Sequence, residues 1–309
     1  MHHRFAAFLL FTCFLTFLHP SSGEETAAYA IADASTGHLL DSYRPNKKLP
    51  IASLTKIATA MVVLDWMDVS GQNAGSLATI PIGAASIDPS NPVGFQPGDQ
   101  VSLRDLLYAM LVQSDNIAAY TLAEHVGRDL QRSAQSGVQP VDLFVAQMNA
   151  LARSLGMKRT LFLNPHGLES LREAPYSTAR DLVALTSAAM QRSAFRFYVS
   201  QKERRIVRRP PGGKPTEYNL INTNELLGIN AIDGVKTGKS SRAGECLIIS
   251  AARAPESVQN PDSSFTVTPR RIIVVILGST NRFADAKRLL DNGWNLYDQW
   301  AAIGRPLDK

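Results

Sequence analysis

Apolar residues recur at helical spacing in the segment LPIASLTKIATAMVVLDW, residues 49–66. Ile57, Met61 and Leu64 fall on one side of a helix, and two neighbouring valines widen that apolar face. Spacing of this kind predicts an amphipathic helix that packs its apolar face against a core.

Ser53 and Lys56 stand three residues apart at the start of this helical pattern. One interpretation is structural: Ser53 would be the N-cap of the helix, and Lys56 would extend its ammonium group to solvent. The other is catalytic, because residues three apart in a helix lie on the same face. The pair alone does not decide between the two interpretations.

Other segments predict strands and helices in a definite order. AAYAIADASTGHLLDSY alternates around a Ser-Thr-Gly turn and predicts a β-hairpin, whereas residues 80–100, rich in Pro and Gly, predict an irregular surface loop. Strands at both ends with helices between them favour one α/β domain whose terminal strands share a sheet. Two helices that meet at Ser114 are predicted for SLRDLLYAMLVQ and SDNIAAYTLAEHVG. Three further helices are predicted for VDLFVAQMNALARSLG, STARDLVALTSAAM and RFADAKRLLDNGWNLYDQW. Strands are predicted for RRIVRR, GECLIISAAR and PRRIIVVILGST.

The N-terminus has the pattern of a secretory signal peptide. Arg4 precedes an apolar run over residues 5–18, which is shorter than the roughly 20 residues of a spanning helix, and small residues follow up to Gly23. We therefore predict a signal peptide over residues 1–23 and a single exported domain over residues 24–309, in the periplasm or the extracellular cell wall. An uncleaved anchor is the alternative, and no other segment is long and apolar enough to cross a membrane.

Composition and charge exclude several classes of function. The 309 residues are 45% hydrophobic and 19% charged, as in globular proteins, and a net charge of +5 is too weak to indicate a nucleic-acid partner. Cys246 would be the one cysteine of the mature chain, so no internal disulfide is expected. The histidines lack the spacing of metal ligands, and we predict neither a metal nor a cofactor.

Three short motifs favour the catalytic interpretation of Ser53. Ser53 is the one serine followed by lysine three positions later, SDN occurs once at residues 114–116, and KTG occurs once at residues 236–238. S-x-x-K, S-D-N and K-T-G form a known set in class A β-lactamases and penicillin-binding proteins. Each tripeptide alone is a weak signal, whereas the ordered triple is a strong one.

With these motifs the chain resembles the low-molecular-mass penicillin-binding proteins, the D-alanyl-D-alanine carboxypeptidases. The resemblance extends from about Ala27 to Trp300 and includes TLFLNPHGL, YSTARDL, NTNELL and AGECLIISA. It implies an α+β fold, with a mainly antiparallel sheet covered by helices, a helical subdomain beside it, and the site between them. No additional C-terminal β-domain is expected after the final helix.

The chemistry assigns roles to the catalytic residues. Ser53 would be the nucleophile and Lys56 its base, which requires the pKa of Lys56 to fall far below about 10.4. Burial lowers the pKa of a lysine, and a second cation, Lys236 in the substrate-binding group, could lower it further. The resemblance implies that Ser114 relays a proton between Lys56 and the leaving amine.

Further residues would bind the substrate. The resemblance implies that Asn116 binds the substrate amide and orients the catalytic lysine, and that the Thr237 hydroxyl binds the terminal carboxylate. Gly238 would let the strand approach the substrate backbone closely. The backbone N–H groups of Ser53 and Lys239 would form the oxyanion hole.

Several charged residues are open to two interpretations. Arg282 and Arg180 could help to anchor a carboxylate, and Asp115 could simply cap the following helix. His166, in NPHGL, is interpreted as a hydrogen-bonding loop residue. A basic run is typical of a solvated hairpin face, with attraction of anionic wall polymers as the alternative; it comprises Lys202, Arg204, Arg205, Arg208 and Arg209.

The resemblance implies a serine DD-carboxypeptidase that removes the terminal D-alanine of peptidoglycan stem peptides and that β-lactam antibiotics inhibit covalently. The alternative is a DD-endopeptidase that cleaves cross-links with the same residues. A β-lactamase is disfavoured because no glutamate stands in an E-x-x-L-N segment. A non-catalytic wall-binding or β-lactam-binding protein is disfavoured by the intact triple.

Overall fold

A computed structural model describes residues 26–88, 90–135 and 137–307 of the chain. The predicted signal peptide, residues 1–23, lies outside these residues and stays a prediction. The strands are β1 Ala28–Asp33, β2 Leu39–Tyr43, β3 Leu49–Pro50, β4 Leu77–Thr79, β5 Gln100–Ser102, β6 Tyr176–Ser177, β7 Glu203–Arg209, β8 Thr216–Ile221, β9 Ile232–Ser240, β10 Gly244–Gln259 and β11 Phe265–Ser279. The helices are α1 Lys56–Ser70, α2 Leu103–Val112, α3 Asn116–Ala134, α4 Pro140–Ser154, α5 Ala179–Gln191, α6 Ser193–Val199 and α7 Arg282–Ala302, with 3₁₀ helices at Ala52–Thr55 and Ile82–Ser86.

The centre of the fold is a five-stranded antiparallel sheet in the order β2-β1-β11-β10-β9. Ala28 of β1 lies opposite Leu277 of β11, so the first and last described strands pair directly. This pairing confirms the prediction that the terminal segments share a sheet, and β1 with β2 confirms the predicted hairpin. Strand β9, which carries the KTG motif, lies at the edge of the sheet.

Side chains that alternate along the strands supply two cores, one on each face of the sheet. Ile272, Val274 and Ile276 of β11 pack with Leu289 and Trp294 of α7 on one face. The residues between them on β11 face the opposite core, to which α1, α2, α3 and α5 contribute. The predicted antiparallel sheet covered by helices is confirmed.

Helices α1 to α4 pack against one another beside the sheet. A second antiparallel sheet, in the order β4-β5-β7-β8, adjoins α2. Together these elements form the predicted helical subdomain. The basic run lies on β7 and just before it, and β7 pairs with β8 as a hairpin. The run is solvated only in part, because Arg204 lies over the Tyr108 ring and Arg208 pairs with the buried Asp99 at 3.1 Å.

Two predictions about local structure were wrong or incomplete. The segment 80–100, predicted as an irregular surface loop, contains the 3₁₀ helix Ile82–Ser86 and buries Val93 and Phe95, because these apolar side chains anchor it to the core. The short helix α6 was not predicted, since seven residues are too few for a clear helical period.

Two remaining observations concern membrane contact and redox chemistry. Within the described ranges, no helix is both long enough and apolar enough to cross a membrane. Cys246 is free and buried in β10, and burial raises the pKa of its thiol to about 11. The thiol is therefore protonated and weakly reactive at neutral pH.

Candidate active site

Ser53 lies in the 3₁₀ helix that precedes α1, and α1 begins at Lys56. The N-cap residues of these two helices are Ile51 and Thr55, and neither makes a side-chain capping hydrogen bond. Lys56 is 0% exposed. The structural interpretation, an N-cap serine with a solvent-directed lysine, is therefore wrong on both counts.

The ammonium group of Lys56 is surrounded by three oxygen atoms. Its Nζ donates to Ser53 Oγ at 2.9 Å, to Asn116 Oδ1 at 2.6 Å and to the backbone carbonyl of His166 at 2.8 Å. A neutral amine has two N–H bonds and one lone pair. Because the amide and carbonyl oxygens can only accept, a neutral Lys56 directs its lone pair at the Ser53 hydroxyl, which can donate. The geometry therefore suits a base acting on Ser53.

Burial lowers the pKa of Lys56 to about 7, against the opposing charges of Asp115 and Asp88, which raise it. The pKa of Lys236 is also well below its ordinary value, because of burial first and then the positive charges of Lys56 and Arg282. Repulsion between the two lysines is mutual and disfavours the state in which both are charged. The expected effect of Lys236 on the pKa of Lys56 stays a prediction. Burial is the main reason that Lys56 can be neutral near pH 7.

The SDN motif lies at the junction between α2 and α3. Asp115 is the N-cap of α3, and its Oδ1 accepts from Ala118 N at 2.7 Å, as the capping interpretation predicted. This cap places Asn116, the first residue of α3, against Lys56. Ser114 is half-buried with a φ of 67°. In the described part of the chain its hydroxyl forms no hydrogen bond with either lysine, so the proton relay stays a prediction.

The KTG motif lies on the edge strand β9. Lys236 is buried and its Nζ donates to the carbonyl of Thr237 at 3.2 Å, while the Thr237 hydroxyl shares a hydrogen bond of 2.6 Å with Thr223. The side chain of Lys239 is exposed and pairs with Glu245 at 2.9 Å, and the oxyanion-hole role of its backbone N–H stays a prediction. Thr223 was not singled out from the sequence, although it lies in the NTNELL segment.

Gly238 lies where β9 comes close to the segment that carries Ser53. A Cβ at this position would lie 3.0 Å from the carbonyl oxygen of Ile51 and 3.3 Å from the backbone nitrogen of Ser53. The sequence predicts that this glycine allows a close approach to the substrate backbone. The structure shows that the glycine also allows β9 to approach the backbone of the segment that carries Ser53.

We expect Gly238→Ala to lower the rate of acylation by roughly tenfold or more, because the added Cβ pushes β9 away from Ser53. The measurement is the second-order rate of labelling by benzylpenicillin, alongside a thermal melt. Gly137→Ala is a matched control, since a Cβ there meets nothing within 4 Å. A parental rate in Gly238→Ala would show that this spacing does not limit the reaction.

The loop around His166 supplies a backbone group to the site. His166 Nδ1 accepts from Leu168 N at 3.1 Å, and burial, together with the charge of Lys56, lowers the histidine pKa to about 3. His166 is thus a neutral hydrogen-bonding loop residue, as interpreted. Gly167 has a φ of +88°, and a Cβ there would lie 2.0 Å from the Ala52 carbonyl oxygen, so only glycine lets this loop pack against the segment that carries Ser53.

Of the two candidate arginines, the structure brings one to the site. Arg282, the first residue of α7, donates to the carbonyl of Gly238 at 2.9 Å. Arg180 is exposed at the start of α5, where its backbone N–H donates to the carbonyl of Pro45 at 3.0 Å. No group of three or more His, Cys, Asp or Glu side chains in residues 26–88, 90–135 and 137–307 is arranged to hold a metal ion.

Known proteins share this sequence pattern and fold. A family model described as D-alanyl-D-alanine carboxypeptidase, peptidase S11, matches residues 19–259. A D-alanyl-D-alanine endopeptidase of Pseudomonas aeruginosa is 33% identical over 267 residues, which cover 84% of this chain and 74% of the relative. The chain spans only 62% to 63% of several longer carboxypeptidase relatives.

Solved structures agree with this assignment. The Streptomyces K15 DD-transpeptidase superposes with a TM-score of 0.74 and 29% identity, covering 88% of this chain and 97% of that one. A penicillin-binding protein of Listeria monocytogenes with cefotaxime bound gives a TM-score of 0.68 and 28% identity, covering 87% of this chain and 97% of that one. This chain belongs to the D-alanyl-D-alanine carboxypeptidase family of serine peptidases.

Proposed function

We propose that this protein is a serine DD-carboxypeptidase that removes the terminal D-alanine of peptidoglycan stem peptides through an acyl-enzyme on Ser53. The observation that carries the proposal is the 2.9 Å contact between Ser53 Oγ and the fully buried Nζ of Lys56. A lysine with a pKa of about 7 is neutral in a large fraction of molecules near pH 7, which a base must be.

In the proposed acylation, Ser53 Oγ attacks the carbonyl carbon of the penultimate D-alanine while Lys56 takes the hydroxyl proton. The oxyanion accepts hydrogen bonds from the backbone N–H groups of Ser53 and Lys239. The C–N bond then breaks, and the leaving D-alanine amine receives a proton from Lys56, with Ser114 as the relay. Water hydrolyses the resulting ester and regenerates the Ser53 hydroxyl.

Recognition of the substrate carboxylate would use the positive charge and hydroxyl groups beside β9. The Thr237 hydroxyl is oriented by Thr223, and the guanidinium of Arg282 lies next to the Gly238 carbonyl. A carboxylate placed here could accept a hydrogen bond from the Thr237 hydroxyl and would lie near the cation of Arg282. Charge-assisted hydrogen bonds of this kind would stabilise the bound carboxylate. This supports a substrate with a carboxylate close to the scissile bond.

β-Lactam antibiotics would act as covalent inhibitors at the same serine. Their ring carbonyl would take the place of the scissile carbonyl, so that ring opening leaves an acyl group on Ser53. The cefotaxime-bound relative supports this proposal by its likeness in fold.

We further propose that residues 1–23 are a signal peptide and that residues 24–309 act as a single domain in the periplasm or cell wall, without a stable membrane anchor. The family's substrate class supports this location.

A DD-endopeptidase is the second candidate, and the Pseudomonas relative named as an endopeptidase favours it. Both activities would use the same nucleophile and base. They differ in the leaving group, which is free D-alanine in one case and the amine of a neighbouring stem peptide in the other.

Digestion of purified peptidoglycan distinguishes the two candidates. We expect free D-alanine to appear and pentapeptide muropeptides to become tetrapeptides, while dimeric muropeptides persist. Loss of dimers without release of D-alanine would assign the endopeptidase activity instead. Protein first saturated with benzylpenicillin is the control, and a preparation that forms neither product would contradict a catalytic function.

A further inference from the structure

Asp88 is an acidic residue beside the catalytic lysine that the proposed reaction does not use. It follows the 3₁₀ helix Ile82–Ser86, in the segment that the sequence predicted as a surface loop. Its Oδ2 accepts from Asn116 Nδ2 at 2.7 Å, and its Oδ1 accepts from the backbone N and the hydroxyl of Ser90 at 2.9 Å and 2.5 Å. Both carboxylate oxygens are therefore engaged, and one of them engages the SDN asparagine.

The contact with Asp88 determines which way the Asn116 amide points. A carboxylate can only accept, so the amide nitrogen must face Asp88, and the amide oxygen then faces Lys56 Nζ at 2.6 Å. With the amide reversed, its oxygen would meet the carboxylate and its N–H groups would meet the lysine, and both contacts would be lost.

One donor of the asparagine remains available in this arrangement. The amide nitrogen carries two N–H bonds, and the contact with Asp88 uses one. The second N–H can donate to the acyl-amide carbonyl of a substrate while Oδ1 still holds Lys56. An asparagine fixed in this way needs no reorganisation when substrate binds.

We propose that Asp88 is a positioning residue for acylation: it fixes the amide of Asn116 so that Oδ1 faces Lys56 and one N–H is kept for the substrate. The proposal rests on the proposed function, since it assumes that Ser53 is acylated. It gives the segment between α1 and α2 a part in the chemistry, although none of the three motifs lies in it.

The charge of Asp88 has a second consequence that can be measured. The groups facing Lys56 are Asp115 from α3, the neutral His166 from its loop, Lys236 from β9, and Asp88. Asp115 and Asp88 both raise the pKa of Lys56, against the larger effect of burial. Partial burial of Asp88 favours its neutral form, but hydrogen bonds from Ser90 and Asn116 outweigh this and keep its pKa below the ordinary value. Asp88 is therefore ionised near neutral pH.

Removal of this charge should lower the pKa of Lys56, so that the neutral lysine forms at lower pH. The test is the second-order rate of acylation by a fluorescent penicillin, measured from about pH 5 to about pH 9 on the purified protein. In the parent, the rate should rise with pH as Lys56 loses its proton; this rise is the acid limb of the profile, and the constant rate above it is the plateau. We expect Asp88→Asn to move the acid limb to lower pH by about half a unit, a small shift because Asp88 is partly exposed to solvent. Asp88→Ala should move the limb equally and lower the plateau roughly tenfold, because the amide is no longer oriented.

Asp142 is an exposed carboxylate in the first turn of α4, and Asp142→Asn is the matched control for the loss of one negative charge. Its acid limb and plateau should equal those of the parent. A limb that stays in place in both Asp88 variants, or an Asp88→Ala plateau equal to the parental one, would overturn the proposal. A loss of rate from loop distortion alone would leave the limb where it is. If the parent protein is not labelled at all, the proposed function fails instead.

Discussion

Ser53→Ala is expected to abolish covalent labelling by benzylpenicillin and to lower D-alanine release by at least about a thousandfold. In the proposed reaction Lys56 takes the proton of this hydroxyl, and no other hydroxyl of the described residues is hydrogen-bonded to Nζ. The substitution removes one oxygen from a half-buried position and leaves the helix start unchanged, because Ser53 makes no capping hydrogen bond. The fold should therefore survive.

Mass spectrometry of the intact protein with benzylpenicillin measures this effect, and a thermal melt checks the fold. Ser70→Ala is the matched control, since Ser70 lies at the opposite end of α1 and its hydroxyl donates to the carbonyl of Trp66. That variant should be labelled as the parent is. Undiminished labelling of Ser53→Ala would show that another residue is the nucleophile.

Lys56→Arg is expected to lower acylation by roughly a thousandfold at neutral pH, although it keeps the length and sign of the side chain. A guanidinium stays protonated in proteins and cannot accept the serine proton. In the parent, burial brings the pKa of Lys56 to about 7, so the neutral form and the acylation rate rise as pH increases through that value. The arginine variant should show no such rise.

The pH profile of acylation separates this effect from simple misfolding. Lys287→Arg, at an exposed position of α7, is the matched control and should reproduce the parental profile. Near-parental acylation by Lys56→Arg would refute the role of Lys56 as the base, and Ser53 would then need another proton acceptor.

The parts of the site that could be predicted from sequence are those carried by side chains in short motifs. Ser53 and Lys56 are three residues apart, and the structure brings Asn116 to the same lysine. The shared sheet could be predicted as well, because strongly apolar strands stand at both ends of the chain.

Other parts of the site could not be predicted, because they depend on tertiary contacts. The carbonyl of His166 bonds Lys56 from 110 residues away, and a backbone group carries no residue-type signal. The contact between Asp88 and Asn116 follows from how residues 80–100 are anchored by Val93 and Phe95, which the abundance of Pro and Gly in that segment obscures. The distance from Gly238 to Ser53 likewise depends on how the sheet meets α1.

The direct pairing of β1 with β11 has a consequence for how the chain matures. Residues 28–33 lie between β2 and β11, so the central sheet cannot close until residues 265–279 have been synthesised and delivered. Contacts between such distant segments form slowly, and apolar strands without their partners are prone to aggregate. In the proposed export, a chain that crosses a translocation channel N-terminus first could pair β1 with β2 at once, but the β1 edge that pairs with β11 would stay open for most of the passage. Completion of the central sheet would then coincide with the end of the proposed export, when β11 becomes available to β1.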